Sequence, residues 1–184
     1  MKKLLSLFLL CFAWLVSFAD NKASIVDSSD NVLEIEVLKT DNIARIPVRI
    51  SMKNPSVAMT CVQCHIEVSD SAAVFCKNEE EKNFIYSSTS RWTPQHQVMF
   101  AMGTKKYPRA LMAIVVSTIS ENFKDDKGPL LTVYVDGSSL KDGDYTVSLR
   151  GSNMVWTDKR EVRTYLTPDT SASFSVKEGK ILLP

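Results

Sequence analysis

Apolar and polar residues alternate along much of this 184-residue chain. Alternation with a period of two predicts extended strands that point one set of side chains into a core and the other set toward water. No segment carries an apolar stripe with helical spacing over the length of a helix. About nine strands separated by turn residues predict an all-β fold, a two-sheet antiparallel β-sandwich of the jelly-roll type. The clearest strands are 33–37, 46–52, 62–68, 98–102, 131–135 and 145–149.

Two predicted strands, 46–52 and 111–116, carry information about their place in a sheet. Pro47 has no backbone N–H to donate, so its strand is expected at a sheet edge with that position facing outward. The run from Leu111 to Val116 is continuously apolar instead of alternating. Such a run predicts a central strand that is covered on both faces.

The N-terminal segment has the pattern of a signal peptide. Two lysines precede an apolar run that ends at Phe18, and Ala19 completes a small-x-small cleavage signal. The run is shorter than the roughly 20 apolar residues that span a bilayer. Residues 1–19 are therefore predicted to be removed, which leaves 20–184 as a single domain without a transmembrane span. We expect the protein to be exported to the periplasm, the cell surface or the medium.

The charge pattern argues against binding to nucleic acid. Loss of two lysines with the signal peptide changes the formal net charge from +1 to −1. Charges of both signs alternate along the chain, as in Arg45 and Arg49 against Glu34 and Glu36. A phosphate backbone requires clustered Lys and Arg, so this pattern indicates an ordinary solvated surface.

The strand 62–68 separates its residues into two faces. Val62, Cys64, Ile66 and Val68 are predicted to point inward. The opposite, outward row is predicted to consist of Met59, Cys61, Gln63, His65 and Glu67.

The order of strands and turns resembles the cohesin-like and carbohydrate-binding-module-like sandwiches of exported Bacteroidetes proteins. The resemblance covers roughly 33–177 and is carried by the segments Ile46-Pro-Val-Arg-Ile-Ser-Met-Lys-Asn54, Gln63-Cys-His-Ile-Glu-Val68, Gly128-Pro-Leu-Leu-Thr-Val-Tyr-Val135 and Asp142-Gly-Asp-Tyr-Thr-Val-Ser-Leu149. It implies a non-catalytic binding module for a protein or a glycan. By similarity to the sheet through which cohesins bind, the candidate binding residues are Met59, Gln63, His65 and Glu67.

Two tryptophans are further candidates for binding. Trp92 and Trp156 lie in polar stretches outside the regular inward series. Each would offer a flat surface for stacking a sugar or a protein if it were exposed, and the alternative is that each closes an end of the sandwich.

The segment Cys61-Val-Gln-Cys64-His65 matches the pattern that attaches a c-type haem, so an exported haem protein is the alternative function. Haem attachment requires both thiols and the imidazole on one side of the backbone. An extended strand would instead place the two cysteines on opposite faces, about 10 Å apart. The strand pattern therefore favours no cofactor and no metal, and Cys64 is predicted to be a small core residue.

Two further hypotheses concern a disulfide and catalysis. Cys61 and Cys64 lie too far apart on an extended strand to form a disulfide with each other, so a bridge would have to involve Cys76. The pairing considered is Cys61 with Cys76. The sequence has no nucleophile elbow, phosphate loop or metalloprotease motif. A small glycan hydrolase built from scattered carboxylates is the third function considered. No catalytic residue is predicted.

Overall fold

The computed structural model describes residues 22–27, 30–55, 58–78, 80, 83–157 and 161–184. The predicted signal peptide and its cleavage site lie outside these residues. The described residues form a one-turn 3₁₀ helix, Ile43–Arg45, and thirteen strands. The strands are β1 (Lys22–Asp27), β2 (Val32–Val37), β3 (Ile46–Lys53), β4 (Cys61–Val68), β5 (Val74–Phe75), β6 (Tyr86–Ser88), β7 (His96–Met102), β8 (Leu111–Ser117), β9 (Lys127–Asp136), β10 (Gly143–Thr157), β11 (Glu161–Leu166), β12 (Thr170–Lys177) and β13 (Lys180–Leu182).

These strands form two sheets. The eight-stranded sheet has the order β1-β11-β10-β4-β8-β7, and β12 and β13 continue it beside the first half of β10. The five-stranded sheet has the order β2-β3-β9-β5, with β6 also pairing with β9. All pairs are antiparallel except that of β1 with β11. The predicted two-sheet sandwich is therefore confirmed, with thirteen strands in the described residues where about nine were expected.

The core lies between the two sheets and is built from the predicted inward rows. On β3, Ile46, Val48, Ile50 and Met52 are at most 1% exposed. On β4, the inward row is Val62, Cys64, Ile66 and Val68, all of which are buried as predicted. Because each large apolar side chain gains about 1.5–3 kcal/mol when it leaves water, these rows determine which face of each strand turns inward.

The prediction that Pro47 marks an edge strand is wrong, because β3 lies between β2 and β9. The carbonyl of Pro47 accepts a hydrogen bond from Leu38 N at 2.9 Å. In an antiparallel pair the N–H of the same residue would point toward Leu38 as well, and Leu38 comes after the last residue of β2. Proline thus removes only the bond at the end of this ladder, and an interior strand tolerates it.

Strand β10 joins two segments that the sequence pattern separates. It runs for 15 residues, with an irregularity between Arg150 and Asn153 where its register with β4 shifts. Gly151 occupies this bulge with φ +51°, a left-handed conformation that glycine adopts without strain. Its first half pairs with β12 and its second half pairs with β11. The bulge thus lies next to both β4 and the turn between β11 and β12.

Candidate functional site

The outward faces of the two sheets differ in chemistry. On the five-stranded sheet the outward residues are largely polar, and Arg49 Nε lies 2.7 Å from the Glu36 carboxylate. On the same face Ser87 Oγ and Tyr134 Oη share a hydrogen bond of 2.9 Å, and the Arg45 guanidinium lies 4.5 Å from the Tyr134 ring centroid. This face has the self-paired polar surface of a sheet that contacts water.

The outward face of the eight-stranded sheet has a polar part along β12 and the first half of β10, and a more apolar part from β11 to β7. Strand alternation and register bring together six side chains there, which we call the apolar outer face: Ile25, Met99, Ile114, Val116, Val155 and Leu166. Ile25 is 75% exposed and Leu166 is 49% exposed, and the other four are half-buried by their neighbours in the sheet. Contiguous exposed apolar surface on a small protein is typical of an interaction site.

The outward row of β4 crosses the middle of this face. Cys61 pairs with Val116 and Val155, and Gln63 pairs with Ile114 and with Asn153 of β10. Both Cys61 and Gln63 are half-buried. Gln63 therefore lies where the sequence prediction placed it and offers a polar group within an apolar surface.

A group of charges borders one end of the apolar outer face. Glu67 accepts a hydrogen bond from Arg109 at 3.2 Å, and its second oxygen lies 3.9 Å from Arg150 Nε. Arg150 also lies 3.9 Å from Asp169. Exposed pairs of this kind contribute at most about 1 kcal/mol, so they can exchange partners at little cost. Glu67 thus occupies its predicted outward position in a network available to a partner.

His65 points outward as predicted but is covered. Its ring centroid lies 4.5 Å from that of Tyr107, and its Nδ1 lies 3.2 Å from the carbonyl of Arg150. The ring is only 6% exposed, and burial lowers the pKa of His65. A Cβ at Gly151 would lie 2.5 Å from Tyr107 Oη, so glycine at the β10 bulge makes room for this cover. His65 therefore supports the end of the face and does not offer its ring to a partner.

The outward placement predicted for Met59 is wrong. Its side chain is fully buried in the core, because it precedes β4 and is not governed by the alternation of that strand. The Met59 carbonyl accepts a hydrogen bond from Phe123 N at 2.8 Å, which fixes the segment at the end of the sandwich. Met59 is therefore not part of the candidate face.

The Cys-x-x-Cys-His segment is a strand, as the alternation predicts. Cys64 is 3% exposed and faces the other sheet, whereas Cys61 and His65 face outward. Burial raises the pKa of Cys64 to about 12, so its thiol is protonated near neutral pH. Because haem attachment needs both thiols on one side, this geometry contradicts the haem hypothesis.

The hypothesis of a bridge from Cys61 to Cys76 is also wrong. Cys76 follows β5, where its N–H donates to Tyr134 O of the five-stranded sheet and its thiol donates to Ala44 O at 3.5 Å. Cys61 lies on the outward face of the other sheet. No disulfide joins any two of the three described cysteines.

Neither candidate tryptophan is an open stacking surface. Trp92 packs against the core, and its Nε1 donates to Leu130 O at 2.7 Å. Trp156 also packs against the core, with the Arg163 guanidinium 5.3 Å from its ring centroid. Both are half-buried, which agrees with the alternative that they close the sandwich. The exposed aromatic neighbour is Tyr86, which is 43% exposed and stacks on Trp92.

No family model matches the chain, and no curated protein matches it. Among solved structures, the chain superposes on a cohesin module from a family 33 glycoside hydrolase of Clostridium perfringens with a TM-score of 0.60 and 11% identity, covering 82% of this chain and 98% of that one. The fold is cohesin-like. A type I cohesin from a cohesin–dockerin complex of Clostridium thermocellum matches with a TM-score of 0.52 and 12% identity, covering 80% and 96% of the two chains. The seventh ScaB type I cohesin of Pseudobacteroides cellulosolvens gives 0.52 at 9% identity, covering 76% and 90%.

The cohesin-like resemblance inferred from the sequence is thus confirmed for the fold. Identities of this size do not transfer a partner or a binding residue. Within the described residues, no helix has the length and apolar character needed to cross a bilayer.

Most of the apolar outer face is absent from the sequence prediction, although part of its signal is present. Ile114 and Val116 belong to the continuous run that predicts a strand covered on both faces. β8 does lie between β4 and β7, and its outward Met112 is buried, but Ile114 and Val116 are only half-buried. Met99, Ile25 and Leu166 join them through pairings between distant segments, which local periodicity does not reveal.

Proposed function

We propose that this chain is an exported, non-catalytic protein-binding module whose partner packs on the apolar outer face. The observation that carries the proposal is the contrast between the two outward faces of the sandwich. The five-stranded sheet has a polar, self-paired surface, whereas the eight-stranded sheet exposes Ile25 and Leu166 beside a row of half-buried apolar residues.

The chemistry of the face favours a protein over a sugar. Its apolar residues are aliphatic, and protein interfaces commonly combine such an apolar centre with a charged rim. Here the rim is Glu67, Arg109, Arg150 and Asp169. Sugar-binding surfaces rely on exposed aromatic rings, and the two tryptophans are engaged with the core.

Two further observations support the proposal. The cohesin of Clostridium thermocellum with the same fold was solved in a cohesin–dockerin complex. The signal-peptide pattern of 1–19 supports export from the cytoplasm, and an exported interaction module would meet its partner outside the cytoplasm.

The test compares two charge insertions on opposite faces. Ile114→Glu places a carboxylate in the middle of the apolar outer face, and Thr132→Glu places one opposite Arg49 on the polar face. The chain without residues 1–19 and both variants are immobilised and exposed to exported proteins of the source organism. Each captured protein is then purified, and its affinity for the unmodified chain and for both variants is measured by calorimetry.

We expect a purified captured protein to bind the unmodified chain and Thr132→Glu with similar affinity. Ile114→Glu should weaken binding by at least about tenfold, because an unpaired carboxylate would be buried at the interface. Equal binding by both variants would refute the assignment of the face. If a glycan array yields ligands and no captured protein binds the chain, the proposal of a protein partner is refuted.

A further inference from the structure

Among the residues that the structure describes, strand β7 is an edge of the eight-stranded sheet, because it pairs there with β8 alone. The hydrogen bonds Gly103 N to Ala110 O and Thr118 N to Gln95 O fix the phase of this ladder, so odd-numbered residues of β7 bond to β8. The backbone groups of Val98, Phe100 and Met102 then point away from β8. Within the described residues, they have no hydrogen-bond partner.

The composition of β7 differs from that of the other edges. Natural proteins protect open edges with charges, proline, bulges or short strands. Strand β2 has two glutamates, β1 has a charged residue at each end, and β5, β6 and β13 have three residues or fewer. Strand β7 has seven residues, no Lys, Arg, Asp, Glu, Pro or Gly, and a regular register with β8. Its sequence and register therefore lack the charges, prolines and bulges that prevent another strand from pairing.

A cleft of about 300 Å³ lies at the C-terminal end of this edge, between the two sheets. Its apolar lining includes Val74, Phe75, Phe84 and Met102. Val74 and Met102 are 55% and 47% exposed. A strand added beside β7 would direct alternate side chains toward the gap between the sheets, where this cleft is open to receive one of them.

The rim of the cleft carries a lysine beside its apolar lining. Lys77 and Arg109 line the cleft together with Asp70, which accepts a hydrogen bond from Ala72 N at 2.8 Å, and Arg109 is already paired with Glu67 at 3.2 Å. The Lys77 ammonium lies 4.7 Å from the Phe84 ring centroid, above the apolar lining. An acidic side chain next to the apolar one would therefore be favoured at this end of the edge.

We propose that β7 pairs with an extended segment of another protein, which adds a strand to the eight-stranded sheet. The segment has apolar residues at alternate positions, one of which occupies the cleft, and an acidic residue near Lys77. This mode of recognition uses backbone hydrogen bonds for affinity and side-chain pockets for specificity. It is distinct from packing on the apolar outer face and uses the edge of the sheet instead.

A second copy of this chain fits the edge less well. Two β7 strands related by a two-fold axis at Phe100 would pair Val98 with Met102. The next inward residue along the neighbouring strand is His96, which is only 6% exposed in its own chain and stacks on Phe123. It is not available to fill the cleft, and it brings no carboxylate to Lys77 at the rim.

The test measures amide hydrogen exchange by NMR in the free chain and with synthetic peptides. The peptides form a set of eight-residue sequences that have Val, Leu, Phe or Met at alternate positions and Thr at the positions between. Each peptide carries either Glu or Lys near one of its ends. In the free monomer we expect fast exchange at Val98, Phe100 and Met102 and slow exchange at Met99. At a peptide concentration ten times the dissociation constant, exchange at the three edge amides should slow by about tenfold, because only the unbound fraction exchanges.

Two controls separate strand addition from other binding. N-methylation of the peptide backbone should abolish the protection without changing the protein. Val98→Pro removes one edge donor and should weaken binding about fivefold or more, whereas Val98→Ala keeps the donor and should bind like the unmodified chain. Protection of the β8 amides in both variants verifies that the sheet is intact. Thr132→Glu, on the polar face of the other sheet, should leave peptide binding unchanged. A peptide that loses affinity for Ile114→Glu but not for Val98→Pro would belong to the apolar outer face and not to the edge.

Three results would overturn the proposal. The first is slow exchange at Val98, Phe100 and Met102 in the free monomer. The second is an array in which no peptide protects them. The third is protection that rises with protein concentration together with dimer formation by sedimentation, which would assign the edge to a second copy.

Discussion

The buried guanidinium of Arg91 offers the sharpest test of what stabilises the end of the sandwich. Arg91 is 2% exposed, and its five N–H groups all donate to oxygen atoms. The acceptors are the carbonyls of Met52, Lys124, Asp125 and Gly128 and the side-chain Oδ1 of Asn54, at 2.8–3.1 Å. One side chain thus joins the end of β3, the start of β9 and the segment before β9.

Replacing Arg91 with leucine removes all five hydrogen bonds and leaves the buried acceptor oxygens without a donor. Hydrogen bonds to a charged group contribute about 1.5–3 kcal/mol each, but these five belong to one group and their losses overlap. Breaking a buried charged arrangement costs about 3–5 kcal/mol, so we expect a loss of about 4 kcal/mol in the free energy of unfolding. With a urea dependence of about 2 kcal/mol per molar, the midpoint should fall by about 2 M.

The assay is urea denaturation followed by tryptophan fluorescence, with two matched variants. Arg91→Lys keeps the charge but cannot reach all five acceptors, so its midpoint should lie between those of the leucine variant and the unmodified chain. Arg49→Leu removes an arginine from an exposed pair with Glu36 and should cost less than about 1 kcal/mol. If Arg91→Leu shifts the midpoint no more than Arg49→Leu, the reasoning about the buried guanidinium is refuted.

Gly151→Ala should lower the free energy of unfolding by about 2 kcal/mol in urea denaturation, because the new Cβ would collide with Tyr107 and the backbone would be held in a left-handed conformation. Adding Tyr107→Ala should recover the portion of this loss that comes from the collision. Cys64 should resist a thiol-specific reagent until the chain unfolds, so labelling of all three thiols under native conditions would contradict its burial. Burial lowers the pKa of His65 and His96, so the unfolded chain binds more protons below about pH 6.5 and the free energy of unfolding should fall as the pH drops. Replacing both histidines with glutamine should flatten this dependence between pH 7.5 and 5.5, and an unchanged slope would contradict the assignment.

Local periodicity was sufficient to predict the sandwich and the interior of β4. The inward row Val62, Cys64, Ile66 and Val68 is buried because strand alternation leaves one side for the core. The same rule fails for Met59, since it applies only within the strand and β4 begins two residues later. It also fails for Pro47, whose missing donor matters only where a neighbouring strand extends that far.

The candidate site depends on contacts that sequence patterns do not contain. The cover on His65 joins β4, the β10 bulge and Tyr107, which lie far apart in the chain. A continuous apolar run such as 111–116 indicates burial in general but does not distinguish a third layer from an exposed docking face. The open edge at β7 follows from the order of strands in the sheet, which single-strand periodicity does not determine.

Strand β7 contributes to two surfaces at once. The side chains of Met99 and Ala101 point to the apolar outer face, while the backbone of Phe100 points to the open edge. A strand that pairs with that edge would place some of its own side chains beside Met99 and would extend the apolar outer face, on which a second molecule binds. If that molecule makes favourable contacts with the captured strand, each ligand raises the affinity for the other by the same factor. A cohesin-like sandwich of this design would then respond cooperatively to two ligands without any change of its own conformation.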